Sequence, residues 1–150
     1  NTDNARVHIE TPDQQCLKLQ RPGTSNAGHC IIVNDNGTVG EISSNGSTTT
    51  YSTSSDYRLK ENVVTDWDAT SRLKQLKPSR FNFKADKDTT VDGFLAHEVS
   101  SIVPEAIDGE KDEVNKDGNP KYQAIDQSKL VPLLVKTIQE LEARIAKLEG

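Results

Sequence analysis

Aromatic residues are scarce in this sequence: one tryptophan, three tyrosines and three phenylalanines among 150 residues, with only 33% of all residues hydrophobic. A chain so composed is short of material for one large core. Either much of it is elongated, or association with other chains supplies the missing burial. No apolar run approaches the roughly 20 residues of a membrane-spanning helix, so no membrane is expected as a partner. Clusters of lysine and arginine are missing too, and the formal net charge is −5, which together argue against a nucleic-acid partner. The only cysteines are Cys16 and Cys30. They form no CxxC or Cys/His pattern, so they read as buried free thiols, with a disulfide or metal ligation left open. Nothing in the residues calls for a metal or an organic cofactor. No N-terminal targeting signal is visible.

What is present divides the chain at about residue 54. The length suits one domain, or a small domain with an appendage. Residues 1–42 read as short strands broken by turns: Arg6–Glu10 and Cys16–Gln20 alternate, and Cys30–Val33 is a short apolar run. Pro12-Asp13, Pro22-Gly23 and Asn26-Ala27-Gly28 supply turns. Asn36-Gly37 predicts a hairpin between Val33 and Val39. His8 and His29 lie among these strands and read as structural or surface residues. Strands this sparse cannot close a core within one chain. Residues 43–54 are almost entirely Ser, Thr, Asn and Gly, the composition of a flexible linker.

From residue 55 onward the pattern is that of a compact α+β unit. Arg58–Val64 reads as a strand. Thr65-Asp66 caps a helix over about Asp66–Leu76, with Trp67, Ala69, Leu73 and Leu76 on its apolar side, and Pro78 ends it. Ser79–Lys84 is a half-buried strand, Asp86-Lys87-Asp88 a turn, and Val91–Ala96 a second strand. A short helix runs from His97 or Glu98 to about Ile102, followed by a turn at Pro104-Glu105-Ala106. A polar hairpin tip covers 109–120, and Lys121–Ile125 is the last strand. The final helix begins near Asp126, with Pro132 in its first turn. Val131, Leu134, Ile138, Leu141, Ile145 and Leu148 are spaced by alternating threes and fours, a coiled-coil seam nearly three heptads long over 126–149. Val and Ile at one heptad position with Leu at the other favour a parallel dimer by packing alone.

The stretch Ser55-Asp56-Tyr57-Arg58-Leu59-Lys60 carries the candidate chemistry. A serine hydroxyl needs a base within hydrogen-bond reach before it is a useful nucleophile. A lysine serves as that base only when neutral, which requires burial or a neighbouring cation. Arg58 is a candidate cation, and Leu59 and Val63 are candidate desolvating neighbours. Fully extended, Ser55 and Lys60 would lie about 16–18 Å apart, so the chain must fold back or the pair must form between subunits.

The string Ser-Asp-x-Arg-Leu-Lys-x-Asn before an apolar pair resembles the start of the intramolecular chaperone domain of bacteriophage tail spikes and fibres. This self-cleaving serine peptidase family was first recognised in endosialidases, and a related domain occurs in myelin regulatory factor. Gly93-Phe94-Leu95-Ala96-His97-Glu98-Val99, Pro104-Glu105-Ala106 and the run from Tyr122 through Ile125, Asp126, Ser128 and Lys129 to Leu134 are similar to its recurrent blocks. The resemblance covers residues 54–149. It departs at His97, where many members carry glutamine; this reads as a helix-start histidine satisfied by backbone, a supporting site role being the other reading.

The resemblance implies residues 1–54 as the end of a fibre or spike shaft with its linker, and 55–150 as the chaperone. It implies a homotrimer, including a trimeric coil, with the shaft as folding client. It implies a cut between Ser54 and Ser55, with Ser55 as nucleophile, Lys60 as base, and Asp56 and Arg58 in support. By the same token the protein would work in the host cytoplasm during assembly, leaving its shaft in the virion tail and releasing the chaperone. Two other classes fit the same residues. One is a non-enzymatic trimerisation and tip module; the other is a self-cleaving module of a membrane-tethered transcription factor, against which the acidic balance and the strand-like first segment argue.

Overall fold

The computed structural model describes residues 7, 9–12 and 15–150. The chain is α+β and divides into two compact units, Asn1–Val63 and Val64–Gly150.

In the first unit, β1 (Ala27–Asn34), β2 (Gly37–Ser44) and β3 (Thr49–Thr53) form an antiparallel sheet in that order. The expected hairpin is present. Asn34 pairs with Gly37, the Asn34 side chain accepts from the Asn36 N–H at 2.9 Å, and Gly37 takes φ +93°, which a residue with a Cβ adopts only under strain. Residues 43–54 are not the flexible linker their composition suggests. Ser43 and Ser44 close β2, and residues 49–53 are β3, paired with β2 from Ser44↔Thr49 to Gly40↔Thr53. Asn45 makes the reversal between them: its Oδ1 accepts from the N–H groups of Ser47 (2.9 Å) and Thr48 (3.0 Å). The threonines and Tyr51 that follow have the branched or aromatic side chains that suit a pleated surface.

Three other sequence expectations fail in this unit. Cys16–Gln20 forms no strand, nor do Val7, Ile9 and Glu10; Arg6 and His8 lie outside the described residues. An alternating pattern becomes a strand only where a partner supplies the ladder, and among the described residues neither stretch joins a sheet. Cys16 and Cys30 form no disulfide, as expected, but are exposed rather than buried. Arg58–Val64 is not a strand either. Asp56 caps a 3-10 turn over Tyr57–Leu59, and Asn62 stands at φ 53°, which interrupts an extended run. His29 is structural: its Nε2 lies 2.6 Å from the Ser44 hydroxyl across β1 and β2.

The second unit is built on a small core of Ala69, Val99, Val103, Ala106, Leu130 and Leu133, with Trp67, Leu73, Leu76, Phe94, Ile102, Ile107 and Ile125 packed around it. All four residues expected on the apolar side of the first helix are in this cluster, yet the helix is shorter than its periodicity implies. α1 spans Ala69–Leu73 and its cap is Asp68, which accepts from the Ser71 N–H at 3.0 Å. Starting there puts Ala69 and Leu73 one turn apart on the buried face.

β4 (Ser79–Phe83) pairs with β5 (Asp86–Gly93), and the reversal falls at Lys84-Ala85 rather than at Asp86–Asp88. The second strand therefore ends at Gly93, not Ala96. α2 occupies only Ala96–Val99, and the turn at 104–106 is a single 3-10 turn. β6 (Ile107–Asp108) pairs with β7 (Ala124–Ile125), so just two of the five residues expected in the last strand are in it. The Val114↔Pro120 bridge closes the polar loop between them.

A second capped turn, Gln127–Leu130 behind Asp126, leads into α3 (Val131–Glu149), with Pro132 in the first turn as expected. This helix has one occupied face and one uncovered apolar face. Leu133 and Thr137 are buried, and the Glu140 carboxylate accepts from the N–H groups of Ala69 (3.0 Å) and Thr70 (2.9 Å) and from the Thr70 hydroxyl (2.6 Å). Those bonds, the Thr70 hydroxyl foremost, hold the Glu140 carboxyl below its ordinary pKa. The six seam residues Val131, Leu134, Ile138, Leu141, Ile145 and Leu148 lie elsewhere on the helix and are 42–87% exposed. Replacing Leu133 by alanine is expected to destabilise the second unit by about 2–5 kcal/mol, read as a lowered denaturant midpoint at unchanged slope.

Candidate active site

The site starts where β3 ends. One residue past the last β2–β3 pair, Ser54 donates its N–H to the Val39 carbonyl at 3.1 Å and its hydroxyl to the Thr38 carbonyl at 2.9 Å. Ser55 follows, and the capped turn begins immediately. Asp56 Oδ1 accepts from the Arg58 N–H at 2.9 Å, while the Leu59 and Lys60 N–H groups donate to the Asp56 and Tyr57 carbonyls at 3.1 Å each. This one turn replaces the expected extension. It brings Lys60 Nζ to 2.7 Å from Ser55 Oγ, inside the range required of a base and its nucleophile.

The neighbours do not play the parts assigned to them from sequence. Arg58 is bidentate to Asp56, Nε to Oδ1 at 2.9 Å and Nη2 to Oδ2 at 2.8 Å. Its charge is thus matched by a carboxylate and is not free to act on Lys60. The Arg58 guanidinium, then the Arg58 N–H, holds the Asp56 carboxyl below its ordinary value, with a smaller contribution from the charge of Lys60. Leu59 and Val63 are 67% and 74% exposed, so neither covers the pair, and Ser55 and Lys60 are themselves exposed. Ser54, Ser55, Asp56, Arg58 and Lys60 are therefore brought together by local turns.

His97 and the seam residues belong to the other unit. The His97 ring is exposed and has no hydrogen-bond partner among the described residues, so it is not satisfied by backbone as expected; only its carbonyl is engaged, by the Ser100 hydroxyl at 3.0 Å. Sequence reasoning also missed the double tie of Ser54 to β2. The signal for it, a β-branched run after an Asn-Gly turn, was masked by the polarity of the run. No group of three or more His, Cys, Asp or Glu among the described residues is placed to hold a metal ion.

Residues 55–108 match the family model described as chaperone of endosialidase, peptidase family S74. The match covers about a third of the chain, and over that stretch the chain is similar to this family. Its first matched residue is Ser55 and its last lies in β6, so the family segment opens on the serine that the turn places against Lys60. Over residues 55–108 the match bears out the resemblance read from the motifs and supports a chaperone role, in a family classed as a peptidase; the block from Tyr122 to Leu134 lies outside it. No curated protein matches the chain.

Since the turn in the family segment rests on an ionised Asp56, its contribution is complete above the ordinary aspartate pKa and is lost as pH falls through the lowered one. In an NMR titration the Asp56 carboxyl is expected to ionise below the value of an unstructured aspartate. A midpoint at or above that value would mean that the capped turn is absent in solution.

Proposed function

We propose that this chain is an intramolecular chaperone that assembles as a homotrimer, registers the strands that precede it, and then releases itself by one cut between Ser54 and Ser55. The observation that carries the cut is the 2.7 Å approach of Lys60 Nζ to Ser55 Oγ at the first residue of the family segment. In the reaction, neutral Lys60 takes the Ser55 hydroxyl proton while Oγ bonds to the Ser54 carbonyl carbon. The carbon–nitrogen bond between the two serines then breaks, and Lys60 returns the proton to the leaving nitrogen. Ser54 is left joined to Ser55 through an ester. Water hydrolyses it, giving a carboxylate on Ser54 and a free hydroxyl on Ser55, which now heads a new chain with an amino group. Each chain reacts once. Because Lys60 reaches the serine of its own chain, attack within the chain is the favoured route.

Assembly supplies what the single chain lacks. A lysine becomes neutral near pH 7 only when desolvated or placed beside an unmatched cation, and here it is exposed with Arg58 already paired. We take burial by partner chains to be the trigger. The free apolar seam of α3 supports the trimer, and so do Ile31, Ile32 and Val33 of β1, which are 55–63% exposed in one chain. The preceding strands then read as the end of a phage tail fibre or spike, folded in the host cytoplasm and left in the virion after release. Slow, non-local β assembly is where a registering trimer helps most. Cutting the chaperone away turns a marginal equilibrium into a kinetic barrier. A second reading, an uncut trimerisation module, is favoured by the exposure of Lys60.

Intact-mass measurement after expression separates the two. Cleavage gives a C-terminal piece beginning at Ser55, while Ser55→Ala and Lys60→Ala each leave the chain whole and assembled. Cutting of Ser55→Ala at the same bond would remove the serine from the mechanism, and a whole wild-type chain favours the uncut module. For the seam, Ile138→Asp is expected to weaken the trimer by several kcal/mol, because a desolvated charge there has no partner. Sedimentation showing a normal trimer would mean that α3 is not the assembly face.

A further inference from the structure

We infer that Ser54 is a positioning residue, and that the bond to be cut is presented by the paired β2–β3 hairpin, so that cleavage tests whether those strands have formed. This rests on the proposed cut at Ser54–Ser55. The peptide to be broken is a joint between two fixed frames. On one side Ser54 is tied twice to β2, through its N–H to Val39 and its hydroxyl to Thr38. On the other, Ser55 is held against Lys60 by a turn that starts at the next residue.

Residue 54 thus has both of its donors spent on one strand, and the second tie depends on its being a hydroxyl residue. The frame it is tied to is itself closely set. A Cβ on Gly40 would come within 3.0 Å of the Ser52 carbonyl oxygen, next to the closing pair Gly40↔Thr53. An alanine there would make the Ser52 carbonyl give way by a few tenths of an ångström.

The chemistry makes that placement matter. Attack by Ser55 Oγ on the carbonyl immediately before it needs one narrow range of rotation about the bonds flanking that carbonyl. Where reacting groups must be aligned, a misplacement of about 1 Å costs on the order of 100-fold in rate. If β3 is unpaired, Ser54 turns freely while Ser55 and Lys60 keep their local contact, and reactive geometries become a small fraction of those sampled. The Ser55–Lys60 pair alone is therefore not sufficient, since its contact is made within residues 55–60. Ser54 converts strand pairing into orientation of the carbonyl.

The test follows full-length chain made by pulse-labelled in vitro translation, measuring the first-order conversion to two pieces across pH. Ser54→Ala removes the Thr38 tie and is expected to slow cleavage about 10-fold at the pH plateau. The midpoint of the pH–rate profile, which reports the base, stays in place. Ser54→Thr, which keeps the hydroxyl, is expected to cut within about 3-fold of the parent. Gly40→Ala, which touches neither Ser55 nor Lys60, should slow the reaction at least as much as Ser54→Ala. Wild-type cleavage with Ser54→Ala at the parental rate overturns the inference while leaving the proposed cut standing, and so does a shift in the midpoint with Ser54→Ala. A wild-type chain that never cuts, although trimeric, overturns both. Should Gly40→Ala fail to fold, the comparison of alanine with threonine at exposed position 54 decides.

Discussion

Everything in the second unit depends on how α3 is divided between two duties. Leu130 in the turn before it, with Leu133 and Thr137 inside it, lies against the core, and Glu140 reaches across to cap the first turn of α1. That strip is narrow. It holds the helix in place with a handful of side chains and leaves a second apolar row uncovered. The chain is too poor in hydrophobic residues to bury both rows itself, and the short elements around the core are the other face of that shortage. α1 has five residues, α2 has four, and β6 and β7 have two each. Elements so short are stable only where each contributes to the same small cluster.

Much of this was legible in the sequence, for physical reasons. Long-range periodicity survives in α3 because its length averages over local preferences, and Pro132 fits because the first turn needs no N–H from it. Trp67, Ala69, Leu73 and Leu76 pointed to the core even though the helix carrying two of them was misjudged. Thr65, Asp66 and Asp68 can all cap, and only packing selects Asp68. The failures share a cause. Residues 49–53 look like a linker because strand pairing satisfies backbone groups whatever the side chains, so a polar strand leaves little hydropathic trace. Cys16–Gln20 looks like a strand because alternation reports what a segment would do with a partner, and says nothing of whether one exists.

At the candidate site the motif was legible and its electrostatics were not. The Ser–Lys spacing is compatible with extension or reversal, and one capped turn decides for reversal. Asp56 makes that turn, but it also takes up the guanidinium that might have acted on Lys60. Under the proposed cut, geometry and activation would come from different sources: the turn brings the lysine close, and something outside these few residues would have to make it a base. A chain built this way can hold its reactive groups in contact without reacting.

The exposed row on β1 has a consequence in time. Among the described residues β1 is an edge strand, paired on one side only, and its Ile31, Ile32 and Val33 are exposed. Such an edge is a template for indiscriminate pairing. During synthesis Val33 precedes Val131, the first seam residue of α3, by 98 residues. At cellular rates of about 5–20 residues per second, that interval is roughly 5–20 s. For that long, each growing chain displays its adhesive strand with the helix that would choose its neighbours still unmade. Spacing between ribosomes on one message, and the local density of such messages, then bear on yield as directly as any contact in the finished molecule.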